Sequence, residues 1–245
     1  FNVPEPRFVD TKDILSPLKS INTKLVTLAN NKIFDNGPIG LENTIKYLKE
    51  YNIDHVGANF GEENIYKPYC VSKGNTRLGI INISDGVQAN EKYNNSIGAA
   101  DLESYHVIDQ IRELKKKDYF IIIIVHAGCV FTPAPPPCIQ SLYRKYVDCG
   151  ADLVIGHHPH VVQGVEIYNN KAIFYSIGHF GIHRIGSRNA EKYGIMLKIK
   201  LFDSILSKIK IIPFKIKREE IELLDEKTLD NFKANFNKIS SILYE

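Results

Sequence analysis

Apolar positions recur along this chain with two different periods, and the order of those periods predicts its architecture. LVTLAN at 25–30 is a short apolar strand, and residues 40–52 then place Leu41, Ile45 and Leu48 on one helical face. Strands are expected around Asp54 to Ala58 and around Arg77 to Ile83. The segment 104–117 carries Val107, Ile108, Ile111 and Leu114 at helical spacing, with charged residues opposite. YFIIIIV at 119–125 is the strongest strand signal, a continuous β-branched run suited to burial on both faces. Pro135 to Pro137 opens a helix whose apolar positions Ile139, Leu142, Tyr143, Tyr146 and Val147 share one face, and Gly150 stops it. ADLVIG at 151–156 is the next strand. Beyond it the period shortens to two. Residues 164–177 read as a hairpin turning at Asn169-Asn170, and 195–217 as a second hairpin with alternation such as Leu197-Lys198-Ile199-Lys200-Leu201. Glu219 to Glu245 reads as an amphipathic helical tail. Alternating strands and helices followed by hairpins predict an α/β sandwich of mixed strands: one domain over 1–218, with the tail 219–245 packed on it.

Composition narrows the function classes. The 245 residues are 44% hydrophobic and 24% charged, as in a globular domain, which excludes disordered and collagen-like chains. The run Tyr119 to Val125 is the longest apolar stretch and is far too short for a transmembrane segment. Net charge is +3, and the lysines sit at alternating or helical spacing with no aromatic ladder between them, so no nucleic acid partner is expected. Cys70, Cys129, Cys138 and Cys149 form no C-x-x-C pair and read as free thiols. The first residue is Phe, so the native start is not visible, and no signal or anchor shows in this chain.

Candidate chemistry lies at strand ends. Six of the eight histidines fall between positions 126 and 183. His126 follows the strand 119–125, His157-His158-Pro159-His160 follows 151–155, and Asn30-Asn31 follows 25–29. If these strands run parallel, the three groups emerge at one carboxyl edge, where open α/β sheets place their sites. In an extended segment residues two apart point the same way, so His158 and His160 share a target while His157 faces elsewhere. Neutral imidazoles with an Asn carbonyl suit Mn, Fe, Zn or Co better than Ca or Mg, and two such ions would clamp a phosphoryl group. Asn31 is as readily turn chemistry as a ligand, and His55, His106 and His183 read as structural.

GADLVIGHHPHVVQGVEIYNNKAIFYSIGHF (150–180), LANNKIFDNG (28–37) and IVHAGCVFTPAPPP (124–137) resemble, in order and spacing, motifs of the CapA-type capsule and poly-γ-glutamate biosynthesis proteins. These are a branch of the calcineurin-like metallophosphoesterases. The resemblance implies a four-layer α/β/β/α sandwich of the metallophosphoesterase type and a divalent metal, Mn, Fe or Zn, with up to two ions. It also implies a phosphate ester or anionic polymer as substrate, a capsule synthase complex as partner, and a place at the cell envelope. It assigns Asn31, His126, His158 and His160 as metal ligands. FNVPEP resembles the family's "NLExP" motif and so points to Glu5 as a bridging carboxylate. Asp35 matches an acidic residue that orients the Asn loop. Asn30, His157 and His179 fall in the surrounding shell or against substrate.

The departures bear on catalysis. The family's opening Gly-Asp motif has no counterpart, so by this resemblance the domain is expected to be N-terminally incomplete or to lack one metal ligand. The histidine after Asn31, which in the superfamily assists the leaving group, is Lys32. A lysine ammonium stabilises charge as a point charge but, at an ordinary pKa of about 10.4, is a poor proton donor at neutral pH. The Glu of "HxGxE" is Val130, and "SLGNF" reads Ser176-Ile177-Gly178-His179-Phe180. Two functions follow as expectations: a metal-dependent phosphoesterase-like protein of capsule or exopolymer synthesis, or an eroded member that binds an anionic polymer or a synthase partner.

Overall fold

The computed structural model describes residues 12–85, 96–180, 193–217 and 220–244. In chain order its elements are α1 (Leu15–Ser20), β1 (Leu25–Thr27), α2 (Gly37–Glu50), β2 (Asp54–Val56), β3 (Ala58–Phe60), α3 (Glu62–Ile65), β4 (Tyr69–Lys73), β5 (Thr76–Ser84) and β6 (Ile97–Ala99). They continue as α4 (Tyr105–Lys116), β7 (Phe120–His126), α5 (Pro137–Asp148), β8 (Leu153–His157), β9 (Val165–Tyr168), β10 (Lys171–Phe174), β11 (Tyr193–Phe202), β12 (Ile205–Lys217), β13 (Glu220–Leu223) and α6 (Glu226–Ser241). The class is mixed α/β, as the periodicity predicts.

The chain divides into two compact units, residues 1–69 with 80–110, and 70–79 with 111–245. The three junctions fall inside regular elements, β4, β5 and α4, where no shift of composition marks them. In the first unit, β1 pairs with β2 in parallel and β3 with β6 antiparallel. Leu15, Leu28, Leu41, Leu48 and Ile53 form its core, which buries one face of α2.

The second unit holds β7, β8, β10 and β9, adjacent in that order in one sheet. β7, β8 and β10 are parallel, and β9 returns antiparallel to β10. The β-branched residues of β7 explain its central place: Ile121, Ile123 and Val125 are all wholly buried. α5 buries Ile139, Tyr143, Tyr146 and Val147, the stripe its spacing predicts, and ends at Gly150 with φ +121°. The β9–β10 hairpin turns at Asn169 (φ 47°) and Asn170 (φ 60°), the paired left-handed residues that a two-residue turn requires. Beside α5, Glu166 is buried and paired with Arg144 at 2.7 Å, and the Tyr175 hydroxyl donates to it at 2.6 Å. A separate sheet of order β11-β12-β13 completes this unit. The expected helical tail therefore differs at its start. Glu220–Leu223 is a strand paired with Phe214–Lys217, because alternating Ile221 and Leu223 extend the hairpin sheet before Asp225 caps α6 by accepting from the Thr228 amide at 2.8 Å.

Candidate metal centre at the strand ends

Two parallel strands set up the site. β7 and β8 pair in register down to His126 and His157, so both chains leave the sheet at the same carboxyl edge. The amide of Ala127 then donates to the His157 carbonyl at 3.1 Å, which extends the pairing one step beyond the strand. The next loop cannot continue extended. His158 and His160 occupy left-handed backbone, with φ 92° and 63° on either side of Pro159. Non-glycine residues held there cost of order 1–3 kcal/mol each, a strain that clusters at functional sites. The loop is clamped by the Phe131 amide, which donates to the Pro159 carbonyl at 2.8 Å.

This backbone turns the rings toward one another. His158 Nδ1 stands 3.1 Å from His126 Nε2. The His160 ring lies 5.9 Å from that of His158 and stacks on His179 at 4.6 Å. His179 is buried and follows Gly178, whose φ of +75° lets the strand-end chain bend at a point where a Cβ would press on the Tyr193 carbonyl. Four of the expected residues, His126, His158, His160 and His179, are thus gathered by three segments of the second unit. His157 is the register partner of His126 and close enough for its charge to weigh on it. The sequence argument placed His158 and His160 on one side by strand alternation; their left-handed backbone brings them round instead.

Electrostatics favour ligands over cations. Loss of hydration, with the neighbouring imidazoles His158, His157 and His160 adding repulsion, holds His126 down to about 3. Burial holds His157 down to about 4. Both rings are neutral at physiological pH and keep a lone pair for donation. The donor chemistry fits a divalent ion: two nitrogens on one tetrahedral zinc stand about 3.3 Å apart, close to the His126–His158 separation. Among the described residues, however, no three His, Cys, Asp or Glu side chains are spaced to hold a metal ion together.

In the first unit, Asn30 shapes its loop. Its side chain accepts from the Lys32 amide at 2.9 Å and donates to the Leu28 carbonyl at 3.1 Å. Asn31 is exposed at the turn, and the Lys32 ammonium lies 3.9 Å from the Asp35 carboxylate. Asn30 and Asn31 follow β1, which belongs to the small β1-β2 sheet, so the single carboxyl edge expected for three strands is that of β7 and β8. Glu5 and His183 lie outside the described residues. Val130, where the family motif has Glu, is 44% exposed. His55 and His106 have local partners in the first unit, Asn59 and Glu62. Phe131 escaped the sequence reading: its ring stacks on His160 at 5.6 Å, from a left-handed backbone (φ 60°) that no periodicity signals.

Residues 2–183 match the model of the bacterial capsule synthesis protein family PGA_cap. The chain belongs to that family. Among PGA_cap relatives, the PGA biosynthesis protein CapA of Bacillus subtilis is 32% identical over 173 residues, which cover 69% of this chain and 45% of the relative. The capsule biosynthesis protein CapA of Bacillus anthracis is 26% identical over 210 residues, 84% of this chain and 51% of the relative. The chain thus spans about half the length of the curated relatives it matches. A Staphylococcus aureus protein assigned as a 5'-nucleotidase and solved with α-ketoglutarate superposes with a TM-score of 0.56 at 15% identity, covering 92% of this chain and 44% of that one. At that identity the likeness is one of fold, and the PGA_cap chain shares its α/β architecture.

Proposed function

We propose that this chain takes part in the synthesis of an anionic capsule polymer of the poly-γ-glutamate type, and that its histidine cluster holds a divalent metal for phosphoester hydrolysis. The observation that carries this reading is the pair of strained residues His158 and His160, whose rings converge with His126 at the carboxyl edge of β7 and β8. His126, His158 and His160 would hold Mn, Fe or Zn, and His179 would position His160 by stacking. Such an ion, when bound, polarises a phosphoryl oxygen and lowers the pKa of water. The chain's own part is to keep its imidazoles unprotonated by dehydration and to fix their directions through the Phe131–Pro159 clamp. Neutral ring nitrogens bind without first releasing a proton, so proton competition is weak at neutral pH.

A second reading is binding of the polymer or a synthase partner without turnover. It is favoured by Lys32, which lies beside Asp35 in place of a proton-donating histidine, and by Val130 in place of a carboxylate. The test is elemental analysis after Mn loading and desalting, run beside His158→Ala and His160→Ala. The first reading expects retained Mn in the parent chain, at least tenfold weaker affinity in each variant, and phosphoester turnover that falls in step. Unchanged metal affinity in both variants would sink the metal assignment. Retained metal with no turnover of phosphate mono- or diesters would favour the binding role.

A further inference from the structure

The β11–β12 hairpin carries a charge arrangement that folding alone does not favour. Lys198 pairs directly with Lys210, and Lys200 with Lys208, so two pairs of like charges stand opposite one another on one exposed face. Like charges in register destabilise a sheet. Residues 193–217 hold six lysines against one acid, Asp203, a net +5 in a chain whose total is +3, so the rest of the chain is net acidic. The lysine rows do not stand alone. On the same face of β11, two residues beyond Lys200, Phe202 pairs with Ile205 at the hairpin end, and these two are 70% and 69% exposed. On the other side of the lysines, Met196 pairs with Ile212, and Met196 is 37% exposed. The tip is fixed in place: the Ser204 hydroxyl accepts from the Arg77 amide at the start of β5 at 2.8 Å and reaches the Asn75 carbonyl in the β4–β5 turn at 3.4 Å.

We infer that this hairpin face docks on an anionic lipid surface, with Phe202 and Ile205 entering the headgroup boundary and Lys198, Lys200, Lys208 and Lys210 meeting lipid phosphates. An apolar tip backed by rows of cations suits an interface that is apolar below and negatively charged above. An acidic soluble polymer would use the lysines but would leave an exposed aromatic–aliphatic pair unexplained. Pinning by Ser204 presents the tip already ordered, which lowers the entropy lost on docking.

The experiment is vesicle flotation of the full chain with phosphatidylcholine alone and with phosphatidylcholine mixed with phosphatidylglycerol. Binding is expected to the mixed vesicles only and to weaken as salt rises. Each lysine near such a surface contributes roughly fivefold in affinity, so replacing all four with Gln should weaken binding by about 100-fold or more. Phe202→Ser with Ile205→Ser should weaken it at least tenfold without altering the circular dichroism spectrum, because both side chains are exposed. Equal binding to both vesicle types, or an unchanged affinity in either variant, would overturn the proposal. So would capture of soluble polyglutamate by the four lysines with no vesicle binding; that result would make the face a polymer track.

Discussion

A histidine at the end of a buried strand can be held neutral by the dryness of its surroundings, and His126 and His157 both are. Their folded values, about 3 and about 4, lie below the 6.5 of a solvated imidazole. Between those limits the unfolded chain takes up protons that the folded chain refuses, so this contribution to stability is complete above pH 6.5 and declines as pH falls toward 4. Urea unfolding with a chelator present should therefore show a lower midpoint at pH 5 than at pH 7.5. His157→Gln should shrink that difference; an unshrunk difference would mean that the His157 ring is hydrated in the folded chain. At this scale, much of the candidate site was legible. His126, His158 and His160 stand at strand ends in a chain otherwise sparing of histidine, and that placement alone proposed a ligand role. Phe131 was not legible, because its contact with His160 arises from a left-handed residue within a loop. Nor was the cause of the His158–His160 convergence, since backbone φ values of 92° and 63° are set by the clamp on Pro159 rather than by local preference.

Close approach of elements sets what each strand tolerates. Gly156 lies one residue before the strand end, and the Ile177 amide donates to its carbonyl at 3.1 Å. A Cβ at this position would collide with the Tyr175 carbonyl and would come within 3.1 Å of the Tyr143 hydroxyl. Gly156→Ala should cost about 1–3 kcal/mol and lower the thermal midpoint by several degrees, since only backbone movement relieves the collision. The same movement would shift His157 and His158, so metal affinity should fall as well. A variant with unchanged stability and metal binding would show that the packing here is slack. The strands were legible where a run of Ile and Val or a strict alternation marked them, as in β7, β8 and the β11–β12 hairpin. Short β3, β6 and β13 were not legible as separate strands. Each has three or four residues, too few for a period to emerge; β3 and β6 pair with each other, and β13 exists because the longer β12 offers an edge.

At the scale of the whole chain, two contact units share one continuous sequence, and the hydrophobic pattern gave no sign of the division. β5 contributes Thr76–Gly79 to one unit and Ile80–Ser84 to the other, yet its nine residues read as one uninterrupted strand. Pattern reports local burial, whereas a unit boundary depends on which distant residues supply that burial. The division gives the metal hypothesis a spatial test. An ion held only by the folded state stabilises by mass action, about 2.7 kcal/mol at 100 times its Kd, and the effect should be strongest in the segments that supply its ligands. Hydrogen exchange with and without Mn should therefore slow in residues 120–131, 153–163 and 175–180, the strands and loops that carry His126, His158, His160 and His179. Exchange in residues 28–37 reports separately on Asn31, which sits in the other unit on an exposed turn. No protection around β7 and β8 at saturating Mn would remove the histidine cluster as the metal centre. Protection confined there would place the ion on the imidazoles alone, a ligand set without the carboxylate that Glu5 was expected to supply. An all-imidazole site leaves the ion's charge uncompensated, and that charge would favour an anionic ligand such as a phosphate ester or a polymer carboxylate.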